Sequence, residues 1–189
     1  MAASYHAHAL FESAVYRAFS THPIPKMEWE KRTTFGYQAK ELLTGRTWPE
    51  VIGCRLNDGE LDPSLSIWMR TLLLDVFHYY LPSHLIFASI SLALGSVAYY
   101  PLHVMEAFIL PLSTDKTELE KMDEDTSFES SLAENAEVRI ALYKRMSKEQ
   151  RVCVATYLSM YLTYNDVEPE VESIYMRSRD IWENSSLQI

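Results

Sequence analysis

Apolar residues recur at helical spacing near the start of the chain. They are Leu10, Phe11, Ala14, Val15, Ala18 and Phe19. This spacing predicts an amphipathic helix over residues 3–19. The helix should end before Pro23 and Pro25, because a residue that precedes proline is disfavoured in the α conformation. His6 and His8 would need an extended chain to chelate a metal together, so a first helical turn or a frayed chain end is favoured for them.

Polar motifs mark the starts of several further helices. Thr47 and Glu50 have the spacing of a capping box, and so do Ser147 and Gln150. Pro169 is suited to the first turn of a last helix, because proline is tolerated there. Other helices are predicted over residues 38–43, from Asp62 onward and over residues 134–145.

The stretch from Val76 to Met105 contains no Asp, Glu, Lys or Arg. Thirty uncharged residues raise the alternative of a transmembrane helix. Histidines and prolines interrupt the stretch, however, and no Lys or Arg lies close to either end as an anchor. The pattern therefore favours a central helix pair buried in the protein. The first helix runs from about Pro82 to Leu94 with Gly95 as its cap, and the second covers Leu102–Leu110. A buried strand over Leu85–Leu94 is the less favoured alternative.

These elements predict an all-α fold, a single-domain bundle of seven or eight helices over residues 1–189. The chain has only 5 Gly and 8 Pro, fewer than a many-turned β-sandwich or barrel requires. Phosphate-binding glycine loops of the GxGxxG or P-loop type are absent. Residues 113–131 form the one long predicted loop, and loops of this length tend to be functional or mobile.

The net charge of −9 narrows the choice of partner. Phosphate backbones and anionic lipid surfaces repel an acidic protein, so neither a nucleic acid nor a membrane is expected to bind. A basic protein partner is favoured instead. Residues 115–137 contain nine acidic residues and two lysines, and therefore carry −7 of the total charge. The predicted partner-binding residues in this stretch are Glu118, Glu120, Asp123, Glu124, Asp125 and Glu129.

Two other interpretations of acidic residues stay open at this stage. The stretch over residues 115–137 has the composition of a solvated linker as well as that of a binding segment. A second acidic cluster consists of Asp166, Glu168, Glu170 and Glu172. Carboxylates are stabilised at helix N-termini, which accounts for the residues that flank the start of the last helix.

Candidate chemistry is sparse. Asp75 with His78, and His103 with Glu106, place a carboxylate and an imidazole three residues apart, so a metal-binding protein or enzyme that uses these four residues is an alternative. The order of the pairs differs from the Glu-x-x-His pattern of di-iron bundles, and no cofactor or metal is predicted. Cys153 is expected to be a buried apolar residue.

A cluster of aromatic residues suggests either a ligand pocket or ordinary core packing. Core packing is favoured, since large aromatic side chains dominate ordinary protein cores. The residues are Phe77, Tyr79, Tyr80, Tyr99 and Tyr100.

Three fragments together resemble a family of small, uncharacterised bacterial all-helical proteins. They are LTGRTWPEV at residues 43–51, FHYYLPSHL at residues 77–85 and MSKEQ at residues 146–150. The resemblance implies an all-helical fold and carries over no catalytic residue. Small acidic bacterial proteins without catalytic motifs are often immunity proteins.

The expected function is therefore that of an immunity-type protein that neutralises a cognate toxin by occluding its active site. Beside the metal-binding alternative, a structural adaptor subunit stays open. The first residues lack the basic region of a signal peptide, and only two cysteines occur, so a cytoplasmic location is expected.

Overall fold

The computed structural model describes residues 2–26, 42–52, 73–95, 104, 107–109, 136–167 and 169–184. Five long helices lie in these ranges: α1 (Ala2–Ala18), α2 (Leu74–Ala93), α3 (Ala136–Arg145), α4 (Lys148–Tyr164) and α5 (Pro169–Asn184). The described residues contain no strand, and the predicted all-α class is confirmed. The number of seven or eight helices and the bundle arrangement stay predictions.

The chain divides into two compact units, Met1–Val104 and Met105–Ile189. The first unit contains α1 and α2, and the second contains α3, α4 and α5. The single domain over residues 1–189 stays a prediction.

In the first unit, α1 packs against α2 in antiparallel register. His8 contacts Ser89 near one end of the pair, and the Phe19 ring lies 6.0 Å from the His78 ring near the other. Phe11 is buried as the spacing predicts. The side chain of Leu10, in contrast, is 59% exposed. The apolar face is thus narrower than the sequence pattern indicates.

The start of α2 corrects the sequence prediction. The helix begins at Leu74 and contains Pro82 in its interior, where a start at Pro82 was predicted. An interior proline costs about 3 kcal/mol relative to alanine, because it removes a backbone donor and crowds the preceding turn. Fourteen of the twenty residues of α2 are buried, Pro82 among them. Burial of apolar surface on this scale outweighs the local cost of the proline. Gly95, at φ +62°, follows the helix end as predicted.

Residues 42–52 also belong to the first unit. Gly45 has a φ of +73°, which ends the preceding turn, and a short helix follows at residues 48–52. The Glu50 carboxylate accepts hydrogen bonds from the Thr47 hydroxyl at 2.7 Å and from the Thr47 backbone N–H at 2.6 Å. These bonds hold the pKa of Glu50 below its ordinary value. The Glu50 side chain thus reaches back to Thr47 as predicted. The Thr47 hydroxyl is a donor in this contact, whereas the hydroxyl of a capping box is an acceptor.

In the second unit, the predicted capping box at the start of α4 is confirmed. The Gln150 backbone N–H donates to the Ser147 hydroxyl at 3.3 Å, and the Ser147 N–H donates to the Gln150 side chain at 3.0 Å. The last helix begins at Pro169, also as predicted. It packs against α4, and the rings of Tyr161 and Tyr175 meet edge to face at 6.4 Å.

The core of the second unit is built around Trp182. Its side chain is fully buried, and its indole N–H donates to the Phe108 carbonyl at 2.8 Å. The rings of Phe108 and Tyr143 lie 5.8 and 5.2 Å from it. The guanidinium of Arg151 lies 4.8 Å from the centre of the Tyr143 ring on α3. One aromatic cluster thus joins residues from before α3, from α3 and from α5.

Three sequence predictions fall wholly or partly on other parts of the chain. The helix from Asp62 and the loop at residues 113–131 lie outside the described residues. Of the second predicted helix, Val104 and residues 107–109 are described, and they are buried as predicted. Val104 is helical, but residues 107–109 are not, so the predicted helix over Leu102–Leu110 is wrong at these residues. Within the described ranges, no helix has both the length and the apolar character needed to cross a membrane.

Candidate functional site

The predicted partner-binding residues lie outside the described part of the chain. They are Glu118, Glu120, Asp123, Glu124, Asp125 and Glu129. Their role in binding a basic protein stays a prediction that rests on charge alone.

A second acidic surface lies on α5. Glu172, Asp180 and Glu183 are exposed and recur at intervals that place them on one side of the helix. Met176 lies between them in the same spacing, and 42% of its side chain is exposed. The Arg179 guanidinium contacts the Asp180 carboxylate at 2.6 Å, so one of the three charges is partly compensated. We call these four residues, Glu172, Met176, Asp180 and Glu183, the α5 acidic face.

Sequence reasoning found only part of the α5 acidic face. Glu172 belonged to the predicted second cluster, together with Asp166, which is exposed. The side chains of Glu168 and Glu170 lie outside the described residues. Asp180 and Glu183 are not neighbours of this cluster in sequence, so the cluster alone does not reveal them. The helical spacing of acidic residues after Pro169 was the signal that could have revealed them.

The structure locates half of the metal-binding alternative. Asp75 lies exposed in the first turn of α2, and His78 is half-buried against Phe19. His103 and Glu106 are not among the described residues. Within the described part of the chain, no three His, Cys, Asp or Glu side chains come close enough to hold a metal ion. The four-residue site therefore stays an untested alternative.

The aromatic residues of α2 that are described belong to the core, as favoured from the sequence. Tyr80 is fully buried, and its phenol donates to the carbonyls of Leu43 at 2.9 Å and Arg46 at 2.8 Å. Burial raises the pKa of Tyr80. The Tyr79 phenol donates to the Thr21 carbonyl at 2.6 Å. Through these hydrogen bonds, both phenols attach the segments around Thr21 and Leu43 to α2. Tyr99 and Tyr100 lie outside the described residues.

Cys153 is buried in α4, as the sequence predicts for a small apolar residue. Its burial gives it the role of a packing residue in the second unit.

A contact between histidine and serine joins α1 and α2, and sequence reasoning missed it. His8 Nδ1 lies 2.8 Å from Ser89 Oγ, and His8 Nε2 lies 3.7 Å from the Glu12 carboxylate. The two partners are 81 positions apart, so no local motif connects them. His8 nevertheless lies three residues before Phe11 on the buried side of α1, and that spacing was the available signal. Of the two alternatives for His8, the frayed chain end is therefore wrong, and His8 lies in a helix as the other alternative predicts.

Serine, histidine and glutamate also form the nucleophile, base and orienting acid of some hydrolases. Here Ser89 is fully buried, and its hydroxyl proton is donated to the Ile86 carbonyl at 2.8 Å. In such hydrolases the glutamate orients the histidine and the serine is exposed to substrate. The buried Ser89 lacks that access. The geometry is that of a contact between helices that contains one titratable group.

Comparisons of the chain with models of protein families, with curated proteins and with solved structures find no match. The resemblance of its three fragments to a bacterial helical family consequently stays an expectation.

Proposed function

We propose that the protein is an immunity-type inhibitor that binds a basic toxin and covers its active site. The observation that carries the proposal is the concentration of charge, since residues 115–137 hold −7 of the net charge of −9. A basic partner is attracted over several ångströms by such a segment, and this attraction raises the association rate.

The α5 acidic face supports a second contact of the same sign. Its carboxylates lie on the same side of α5 as the exposed Met176 side chain. An apolar anchor within a charged rim is a common arrangement in protein interfaces. We propose that residues 115–137, which we call the acidic segment, steer the partner electrostatically. The α5 acidic face then takes part in the final contact.

The proposed partner is a basic toxin encoded beside the gene of this protein. The cytoplasm of the producing cell is the compartment that the proposal implies, because an immunity protein must meet toxin that reaches the cell interior. A co-expression experiment tests this directly. Growth of cells that express the neighbouring gene should be restored by this protein, and unchanged killing with both proteins present would refute the proposal.

Binding kinetics locate the surface. In one variant, Asp123, Glu124 and Asp125 are replaced by Asn, Gln and Asn. In a matched variant, Glu172, Asp180 and Glu183 are replaced by Gln, Asn and Gln. Both changes remove three negative charges, so each is a control for the effect of net charge.

The acidic-segment variant should associate more slowly at low salt, and the difference should shrink as the Debye length falls to about 8 Å near physiological ionic strength. The α5 variant should mainly dissociate faster, because charges in the final contact act on the dissociation rate. Equal effects of the two variants on both rates would show that only net charge matters. Unchanged rates in both would place the interface elsewhere.

A further inference from the structure

The two ends of α1 are held by different kinds of contact. Past its carboxyl end, the indole N–H of Trp48 donates to the Ser20 carbonyl at 3.1 Å, and the Tyr79 phenol donates to the Thr21 carbonyl. Neither of these donors changes charge near neutral pH. In the amino-terminal half, the contact of His8 with Ser89 contains a group that does.

Each ring nitrogen of His8 has one polar partner. Nδ1 lies 2.8 Å from Ser89 Oγ, and Nε2 lies 3.7 Å from the Glu12 carboxylate. Neutral His8 carries a proton on only one of these two nitrogens. A second proton makes both nitrogens donors, and the contact with Glu12 then becomes an ion pair.

Burial opposes this second proton. Only 14% of the His8 side chain is exposed, so the charged ring loses most of its hydration when α1 packs on α2. Burial is the larger influence and lowers the pKa of His8 below 6.5, while the Glu12 carboxylate raises it in part. The titratable residues of α2 all lie at least five positions before Ser89. They are Asp75, His78, Tyr79, Tyr80 and His84.

We propose that the contact of His8 with Ser89 attaches the amino-terminal half of α1 to α2 in a pH-dependent manner, and that Glu12 sets the pH at which this attachment weakens. A detached α1 returns His8 to water, where the imidazolium is better hydrated. Protons therefore favour the detached form. As the pH falls below 6.5, attachment weakens, and the weakening ends once the pH passes below the lowered pKa of the attached state. One proton is coupled, so the opening equilibrium changes by at most about tenfold per pH unit.

Amide hydrogen exchange of the full chain tests the proposal at pH 5, 6 and 7.5, after correction for intrinsic exchange rates. Protection of residues 5–12 should fall with decreasing pH, while protection of residues 15–21 changes less. The control is His8→Asn, because asparagine keeps an N–H donor near the position of Nδ1 and does not titrate in this range. Protection in that variant should be independent of pH. A wild-type protein with constant protection, or a His8→Asn variant that retains the pH dependence, would overturn the proposal.

An NMR titration of His8 keeps the test informative even if the His8→Asn variant does not fold. The midpoint in the wild-type protein should lie below 6.5, and Glu12→Gln should lower it further by removing the attractive charge. A midpoint at or above 6.5 would show that attachment favours the proton and would reverse the proposed direction. An unchanged midpoint in Glu12→Gln would show that Glu12 does not set the pH at which His8 titrates.

Discussion

Different features define the ends of α2 and α4, although both are long helices with many buried residues. Leu73 precedes α2 and makes no capping hydrogen bond with its side chain, and Pro82 lies within the helix. In α4, Ser147 and Gln150 cap the first turn, and the Asn165 side chain donates to the Tyr161 carbonyl at the other end. The extent of α2 therefore depends on its packing in the protein, whereas the extent of α4 depends largely on capping residues in its own sequence.

The hydroxyl groups of the two helices extend the comparison. In α2, buried Ser83 and Ser91 donate to the carbonyls of Tyr80 and Phe87. In α4, Thr156 and Thr163 make the same kind of bond on the exposed side. A buried hydroxyl needs such a partner because water is absent, whereas an exposed one can exchange it for water. The same bond is therefore required in α2 and optional in α4.

The largest expected effect comes from one described tryptophan in each unit. Trp48 and Trp182 are both fully buried, and each donates to a backbone carbonyl. Replacement of either by alanine should lower the free energy of unfolding by about 3–5 kcal/mol, because a large cavity remains. Urea unfolding monitored by circular dichroism measures this.

The same pair of variants tests whether the chain is one cooperative domain. In a single domain, as the sequence predicts, Trp48→Ala and Trp182→Ala both shift one common transition. Two transitions, each moved by only one of the variants, would contradict the single-domain prediction and assign a separate stability to each unit.

A medium effect is expected at Tyr80. Tyr80→Phe removes a buried donor from the carbonyls of Leu43 and Arg46 and should cost about 1–3 kcal/mol. Tyr79→Phe is the control, because its phenol is only partly buried and has one acceptor, and it should cost less. Equal losses would show that burial of the phenol does not decide its contribution.

The raised pKa of Tyr80 adds a dependence on alkaline pH. The unfolded chain loses the phenol proton near pH 10, while the folded protein retains it. Stability should therefore fall as the pH rises above 10. In Tyr80→Phe this fall should be smaller, with the raised pKa of Tyr79 providing part of what remains. Urea unfolding at pH 8 and pH 10.5 measures the difference, and an identical alkaline loss in the variant would exclude Tyr80 as its source.

The smallest effect concerns the cap of α4. Ser147→Ala removes the acceptor for the Gln150 N–H and should cost about 1 kcal/mol. Ser159→Ala is the matched control, since its hydroxyl donates to the Ala155 carbonyl within the same helix and alanine is the better helix former there. Thermal unfolding should show a lower midpoint for Ser147→Ala only. A comparable loss in Ser159→Ala would mean that hydroxyl removal anywhere in α4 is costly.

Local sequence predicted the elements whose ends are set by neighbouring residues. Ser147 with Gln150, Pro169 and Gly95 act within one helical turn, so their spacing contains the necessary information. The pattern predicts a start of α2 at Pro82, because the stabilisation that lets the helix continue through proline comes from residues distant in sequence. Local propensity is overridden when so much of a helix is buried.

The candidate surfaces were less predictable for the same reason. Charge counting found the acidic segment but not the α5 acidic face, whose members are separated by a helical turn. The contact of His8 with Ser89 depends on how two helices pack, and neither residue predicts it alone.

The separation of His8 and Ser89 along the chain also sets an order of events during synthesis. The separation of 81 positions takes a ribosome about 4–16 s at 5–20 residues per second. During that time Phe11, Val15 and Phe19 have not yet met the helix that buries them. α4 and α5 are joined by a few residues, so their pairing can follow almost as soon as both emerge. The nascent chain thus exposes the apolar residues of α1 for longer than those of α4 and α5, and chaperone contacts are expected at α1.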